Sequence, residues 1–155
     1  MPRIRIIVVG QTKLPFLFDG QQFYLDRLQH YTTIDWLEVK PVSIKKTREQ
    51  FIKEEEGLSI LRYIKDRDYV IALDQRGRTC DSKGLASQVE QILMEQGGIV
   101  FVVGGTLGLS EKVLTRAQAT LSLSRLTFTH EMARLFLLEQ LYRAFTILRG
   151  EKYHK

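Results

Sequence analysis

Two kinds of apolar pattern alternate along the chain and predict an α/β domain. Short apolar runs predict strands over residues 3–9, 34–42, 69–74, 99–103 and 119–123. Elsewhere apolar residues recur every three or four positions, and they predict helices over residues 18–31, from Thr47 onwards, over 82–96, just after Ser110, and over 129–149. Strands that alternate with helices in this way are typical of a mainly parallel sheet with helices on both faces.

Local signals predict several of the element ends. Thr47 and Gln50 have the spacing of a capping box at the start of the second helix. Residues 75–78 predict a turn after the third strand, and Gly97 predicts the end of the helix before the fourth. Because residues 99–103 show no alternation, we expect that strand to be buried on both faces. The expected apolar stripes of the first two helices contain Phe23, Leu25, Leu28, Ile52, Leu58, Leu61 and Ile64.

Length and charge limit the class of protein. A chain of 155 residues with 44% hydrophobic residues fits one globular domain that spans residues 1–155. The net charge of +5 and the sequence pI of about 9.4 favour a partner that carries phosphate, such as a nucleic acid. Residues 125–155 carry six Lys and Arg against three Glu. A second basic group comprises Lys40, Lys45, Lys46 and Arg48.

Cysteine and histidine usage argues against disulfides and metal sites. Cys80 is the one cysteine, and His30, His130 and His154 lack the paired spacing of metal ligands. The apolar run near the N-terminus is too short for a signal peptide, and no apolar stretch approaches the roughly 20 residues of a membrane span. We therefore expect a soluble, cytoplasmic protein that binds neither metal nor membrane.

Three predicted loops follow the carboxyl ends of strands, where ligands bind in open α/β sheets. They are residues 73–75, the glycine loop that begins at Gly104 and Gly105, and residues 123–128. Glycines allow close approach of the backbone to a ligand, but they also suit a simple tight turn. The loop has neither the Walker A sequence nor the dinucleotide-binding spacing. The hydroxyls of Ser122, Ser124 and Thr127 fit either a helix cap or a ligand contact.

The last helix carries more apolar residues than one buried stripe requires. This surplus predicts a second buried face, most simply a homodimer contact. The alternative is that the helix is sandwiched deep in one chain. The apolar positions are Met132, Leu135, Phe136, Leu138, Leu141, Tyr142, Phe145 and Leu148.

Several motifs together resemble one family over the full length of the chain. The segments that show the resemblance are 6–10 (IIVVG), 72–74 (ALD), 103–109 (VGGTLGL), 121–130 (LSLSRLTFTH), 139–144 (EQLYRA) and 153–155 (YHK). They resemble the ribosomal RNA large subunit methyltransferase H family of the SPOUT superfamily. Thr129 departs from the family pattern, which often has Pro before the histidine; we expect only the entry into the last helix to change.

The resemblance implies a fold, a cofactor and a substrate. The α/β domain would contain a C-terminal trefoil knot, which the hydrophobic pattern alone does not predict. The cofactor would be S-adenosylmethionine, and the enzyme would act as a homodimer. It would methylate N3 of a pseudouridine in large-subunit (23S) ribosomal RNA within the assembled ribosome. The implied cofactor contacts are Leu73, Gly104, Leu123, Ser124, Arg125, Leu126, Thr127 and Phe128, together with Gly105 of the glycine loop.

Four residues are candidates for the chemistry. His154 and Tyr153 would lie near the target base, where a neutral histidine could accept the N3 proton. His130 is the alternative base, although packing at a helix start would explain it equally well. Arg143 could stabilise negative charge on the base or bind phosphate, or it could pair with Glu139. A non-enzymatic RNA- or ribosome-associated factor on the same fold, and a flavodoxin-like redox module, are the alternative functions.

Overall fold

The computed structural model describes residues 2–43 and 48–155, which form five strands and five helices in alternation. The α/β prediction is confirmed. The elements in chain order are β1 (Arg3–Val9), α1 (Pro15–Leu28), β2 (Thr33–Val39), α2 (Glu49–Leu61), β3 (Val70–Arg78), α3 (Ser82–Gln96), β4 (Gly98–Val103), α4 (Glu111–Arg116), β5 (Ala119–Leu121) and α5 (His130–Leu148).

The strands form one sheet in the order β2-β1-β4-β3-β5, and every pair described is parallel. The central strand β4 is buried on both faces from Ile99 to Val103, as predicted. All five strands therefore end at the same edge of the sheet. That edge brings the three predicted loops into one neighbourhood.

Helices cover both faces of the sheet, which confirms the predicted layers. Residues of α1, α3 and α5 pack with Ile4, Ile6 and Val8 of β1 in one apolar cluster. Residues of α2 and α4 pack with Ile7 and Val9 in the other. The alternation within β1 thus supplies both cores.

The predicted ends of the helices hold where a capping side chain defines them. Asp81 accepts a hydrogen bond from the Gly84 N–H at the start of α3, and Gly97 ends that helix with a left-handed backbone. Ser110 caps α4 by accepting from the Val113 N–H. The predicted capping box of α2 falls on Thr47, which lies outside the described residues; the structure has Arg48 before the first helical residue, Glu49.

Three sequence predictions about α1 and α2 are wrong. The helix α1 begins at Pro15 rather than Phe18, because proline suits the first helical position instead of interrupting the element. Phe23 is 46% exposed, and the Arg27 guanidinium covers its ring at 3.3 Å from the centroid. Leu58 is 40% exposed, because Ile52 and Ile60 provide the buried contacts of α2.

The predicted turn at residues 75–78 is instead part of β3. After a shift in register at Leu73, the strand pairs with β5 again, and the Arg78 carbonyl accepts from the Ser122 N–H at 2.9 Å. The close approach depends on Gly77, since a Cβ there would lie 3.0 Å from the Leu121 backbone nitrogen. Pairing between distant segments therefore overrides the local turn signal.

The apolar surplus of α5 is largely explained within one chain. This helix contacts α1 and α3 as well as β4, so Leu138, Leu141 and Phe145 are all buried. Of the eight apolar positions predicted to need two faces, Phe136 is the exposed one. The sandwiched alternative fits this helix, and the homodimer stays a prediction that needs other support. Among the described residues, no helix has the length and apolar character required to cross a membrane.

Candidate active site

A cavity of about 580 Å³ opens where β3, β4 and β5 end. We call it the strand-end cavity. Its floor is apolar, formed by Leu73, Val103 and Leu121. Eight of the nine residues predicted to contact a cofactor line this cavity: Leu73, Gly104, Gly105, Leu123, Ser124, Leu126, Thr127 and Phe128. Arg125 is the exception; its carbonyl oxygen instead accepts a hydrogen bond from Gln75. The structure thus brings the three predicted loops together.

The glycine loop folds back on itself at the rim of this cavity. A Cβ on Gly104 would lie only 2.7 Å from the Gly108 carbonyl carbon. Gly108 has a φ of +85°, a conformation that L side chains rarely adopt. The Gly108 N–H donates to the Gly105 carbonyl at 3.1 Å. Glycine is therefore required here by the loop itself, and the exposed backbone then forms part of the cavity wall.

Hydrogen bonds hold residues 123–128 across the cavity from the glycine loop. The Ser122 hydroxyl donates to the Ser124 carbonyl at 2.9 Å, and the Ser124 hydroxyl accepts from the Leu126 N–H at 3.0 Å. The Gln75 amide donates to the Arg125 carbonyl at 2.9 Å and accepts from the Thr127 hydroxyl at 3.1 Å. The serines thus shape the wall, and Gln75 attaches it to β3.

His130 is the first residue of α5 and lines the same cavity. Its ring is half-buried, and the pKa of the imidazole is lowered, first by desolvation and then by the positive charge of Arg134. The neutral form is therefore favoured. Thr129 fixes the entry into the helix, because its hydroxyl accepts from the Met132 N–H at 3.2 Å. Both packing and chemistry remain compatible with this position.

Glu131 and Arg134 follow His130 and fix the start of α5 on the rest of the domain. The Glu131 carboxylate accepts from the Lys13 and Leu14 N–H groups at 2.6 and 3.2 Å. Burial acts against ionisation of Glu131, but these donors prevail and lower its pKa. Arg134 is buried and donates to the Thr12 hydroxyl and the Val9 carbonyl. Arg134 makes no ion pair with Glu131 among the described residues.

The C-terminal residues form a separate group, which we call the tail cluster: Tyr24, Glu139, Arg143, Tyr153 and His154. Arg143 forms an ion pair with Glu139 at 2.5 Å, as the alternative reading of Arg143 predicted. The Tyr153 hydroxyl donates to Glu139 at 3.0 Å, and the Tyr24 hydroxyl lies 3.3 Å from the Tyr153 hydroxyl. Desolvation and these hydrogen bonds raise the pKa of Tyr153 well above its usual range.

His154 has a defined tautomer in the tail cluster. Its Nδ1 lies 3.1 Å from Nη1 of Arg143. A guanidinium only donates, so Nδ1 accepts and the proton of the neutral ring is on Nε2. The ring therefore offers no free basic nitrogen while this contact persists.

The family model described as "Predicted SPOUT methyltransferase" matches residues 2–154. The chain belongs to the SPOUT methyltransferase family. Ribosomal RNA large subunit methyltransferase H of Halothermothrix orenii is 41% identical over 158 residues, covering 99% of both chains. The proteins of that name from Clostridium botulinum strain Kyoto and Symbiobacterium thermophilum are 45% and 43% identical, over 98% and 99% of this chain and 99% of each relative. The resemblance seen in the motifs is confirmed.

Within one chain of this SPOUT methyltransferase family member, the tail cluster lies apart from the strand-end cavity. His130 and Arg143 lie 13 residues apart on α5, and at a rise of roughly 1.5 Å per residue that is about 20 Å. None of Arg143, Tyr153 and His154 lines the cavity. The structure therefore places one of the four predicted catalytic residues, His130, beside the predicted cofactor residues.

Two residues, Gln75 and Glu131, make contacts beside the cavity that the sequence does not predict, although Gln75 belongs to the predicted loop 73–75. Gln75 follows a predicted strand end directly, so its position was a signal, but its bond to residues 125–127 depends on the fold. Glu131 lies in the first turn of α5, where the favourable interaction of an acidic side chain with the helix dipole already explains its presence. Among the described residues, no group of His, Cys, Asp and Glu is arranged to bind a metal ion.

Proposed function

We propose that the protein is an S-adenosylmethionine-dependent methyltransferase that modifies N3 of a pseudouridine in large-subunit (23S) ribosomal RNA. One observation carries the proposal: seven residues carried over as cofactor contacts from the motif resemblance, together with Gly105 of the glycine loop, line a single cavity in the folded chain. Membership of the SPOUT methyltransferase family supports methyl transfer. The name shared by the relatives, ribosomal RNA large subunit methyltransferase H, supports the substrate.

The strand-end cavity fits the proposed cofactor. Its volume lies within the range of small-molecule sites, roughly 300–1,000 Å³. Apolar walls at Leu73 and Leu121 suit the adenine ring, and the backbone of Gly104 and Gly105 lies in the wall, where it can approach the edges of the ring. When bound there, S-adenosylmethionine supplies a methyl group activated by a sulfonium. We propose that residues 104–105 and 123–128 belong to the loops of a C-terminal trefoil knot.

The protein must then prepare the nucleophile. N3 of pseudouridine carries an imide proton, and N3 is a poor nucleophile until that proton is removed. His130 is the base that we propose, because it lines the cavity and its lowered pKa keeps a basic nitrogen free near neutral pH. Half-burial of the ring reduces the dielectric, which strengthens the interaction between the imidazolium that forms and the imide anion.

The tail cluster would complete the site from a second copy of the chain. Its separation of about 20 Å from His130 along α5 prevents it from acting at the cavity of its own chain. A homodimer would place Arg143 against the negative charge of the base or a phosphate, and Tyr153 and His154 over the base. If Arg143 turns towards an anion, Nδ1 of His154 becomes free.

The proposed substrate is the assembled ribosome rather than free RNA. A charge of +5 on 155 residues gives limited electrostatic grip on a flexible RNA. A folded ribosomal surface would add shape complementarity to this electrostatic attraction. Such a substrate places the protein in the cytoplasm.

Deletion of the encoding gene tests this proposal. We expect mass spectrometry of large-subunit RNA fragments to show one pseudouridine that has lost one methyl group, with other modifications intact. An unchanged fragment pattern would contradict the proposal. Calorimetry with S-adenosylmethionine distinguishes the alternative, a non-enzymatic ribosome-associated factor, because such a factor need not bind this cofactor.

A further inference from the structure

A second cavity, of about 650 Å³, lies beyond the ends of β1 and β2. We call it the Glu56 cavity. Gly10, Pro41, Val42 and Glu56 line its outer part. It shares a border with the strand-end cavity, formed by Gly105, Thr106, Leu107, His130 and Glu131. Two spaces of ligand size thus meet beside the proposed base.

Glu56 is the notable side chain of this cavity. The residue is only 6% exposed, yet among the described residues its carboxylate has one hydrogen-bond donor, the Val42 N–H, at 3.1 Å from Oε2. No ion pair with Glu56 occurs within residues 2–43 and 48–155. Oε1 points to the shared border, 3.2 Å from where a Cβ on Gly105 would lie. Desolvation raises the pKa of this carboxyl group.

A structural role alone accounts poorly for a carboxyl group here. Capture of the Val42 N–H needs one acceptor oxygen, which a glutamine would supply without a buried charge. Burial of a carboxylate costs free energy unless further donors compensate for lost water. Among the described residues Oε1 has no hydrogen-bond donor, and it faces the shared border, where a ligand could supply one.

Pseudouridine carries a donor that uridine lacks. Its ribose is attached at C5, so N1 of the ring keeps a hydrogen. In uridine the ribose occupies N1. Both bases share the N3–H and its two flanking carbonyls. A protein that must choose pseudouridine therefore needs an acceptor for the N1–H.

We propose that the Glu56 cavity binds the target pseudouridine and that Oε1 of Glu56 accepts its N1–H. The inference rests on the proposed function and adds to it the residue that selects the base. N3 would be presented at the shared border, where His130 lies between the two cavities. Glu56 would act on specificity, and His130 on the proton.

The test compares Glu56→Gln with the wild-type enzyme on two substrates. These are ribosomes that carry pseudouridine at the target position and ribosomes that carry uridine there.

In the variant, the single amide oxygen is held by the Val42 N–H, so the NH₂ group faces the N1–H. We expect kcat/KM on pseudouridine to fall about 10- to 100-fold, the effect of one charge-assisted hydrogen bond. The low rate on uridine should stay unchanged. Glu54→Gln is the matched control, because Glu54 is exposed on the same helix and its carboxylate accepts a hydrogen bond from Gln50.

Calorimetry with S-adenosylmethionine accompanies the rates and shows whether the strand-end cavity is intact. Unchanged cofactor affinity with lost base preference supports the inference. Wild-type preference in Glu56→Gln would overturn it and leave the proposed function standing. If the variant does not fold, the wild-type comparison decides: equal rates on both ribosomes contradict N1–H recognition, and a strong preference for pseudouridine supports it. No transfer to either ribosome by the wild-type enzyme would overturn the proposed function and the inference with it.

Discussion

At the scale of single residues, His130 has the position that the proposed chemistry needs. It lines both cavities, and desolvation together with the charge of Arg134 lowers the pKa of its imidazole, which favours the neutral ring. Neither property follows from the sequence around it, where a histidine at a helix start has ordinary structural explanations. Arg134 lies one turn later, and its charge affects the ring because Arg134 is buried and the ring is half-buried.

We expect His130→Ala to reduce the rate of methyl transfer about 100-fold or more, as for loss of a general base. In the wild-type enzyme the neutral ring is the active form, and its pKa lies below the ordinary value of 6.5. The rate should therefore fall as pH drops through the lowered pKa of the His130 ring. His30→Ala is the control, since His30 is exposed and lies outside both cavities. A pH profile that His130→Ala leaves unaltered would exclude His130 as the base.

At the scale of elements, Glu131 joins the starts of two helices. The residue before α1, Leu14, has no side-chain cap, and the Glu131 carboxylate on α5 replaces one by accepting from Lys13 and Leu14. The contact spans more than 100 residues of sequence. It holds the start of α1 beside the start of α5, which carries His130.

Glu131→Gln should lower the free energy of unfolding by about 1 kcal/mol at pH 7, since charge-assisted capping bonds become neutral ones. The pKa of Glu131 is lower in the folded chain than in the unfolded chain. The stabilisation is therefore complete above the unfolded-state pKa and is lost as pH falls through the folded-state value. Urea unfolding at several pH values measures this. Glu95→Gln on the surface of α3 is the control, and a difference from wild type that persists at pH 2 would rule out the assigned cause.

Elements with local end signals could be predicted, and those defined by distant pairing could not. The Asp81 cap and Gly97 place both ends of α3 in the sequence itself. By contrast, β3 continues to Arg78 because Gly77 allows close contact with Leu121, forty-odd residues later. Phe23 looks inward by spacing, yet a cation–π contact with Arg27 keeps it on the surface.

At the scale of the whole molecule, the order of strands determines the site. With β4 between β1 and β3, the strand ends produce two adjacent cavities rather than one. Strand alternation predicts that loops share an edge, but it does not specify their order. The eight cavity residues could be named from motif resemblance and strand ends. The distance from the tail cluster to the cavity required the folded chain.

The proposed homodimer makes a prediction that one chain cannot satisfy. His130→Ala affects the cavity side of a site, and His154→Ala affects the tail side. Each variant alone should be slow. Mixed after unfolding and refolding, half the dimers should be mixed, each with one intact site, giving about a quarter of wild-type activity. Activity no higher than that of the separate variants would contradict a site shared between chains. Equal dimer formation in all samples is checked by sedimentation.

Reconstituted methyl transfer tests the central claim most directly. Purified protein is incubated with methyl-labelled S-adenosylmethionine and ribosomes from the deletion strain, and the RNA is digested for mass spectrometry. We predict one labelled methyl per large subunit, on N3 of a pseudouridine, and none when cofactor or protein is omitted. Ribosomes that remain unlabelled, or a label found on another atom, would contradict the account.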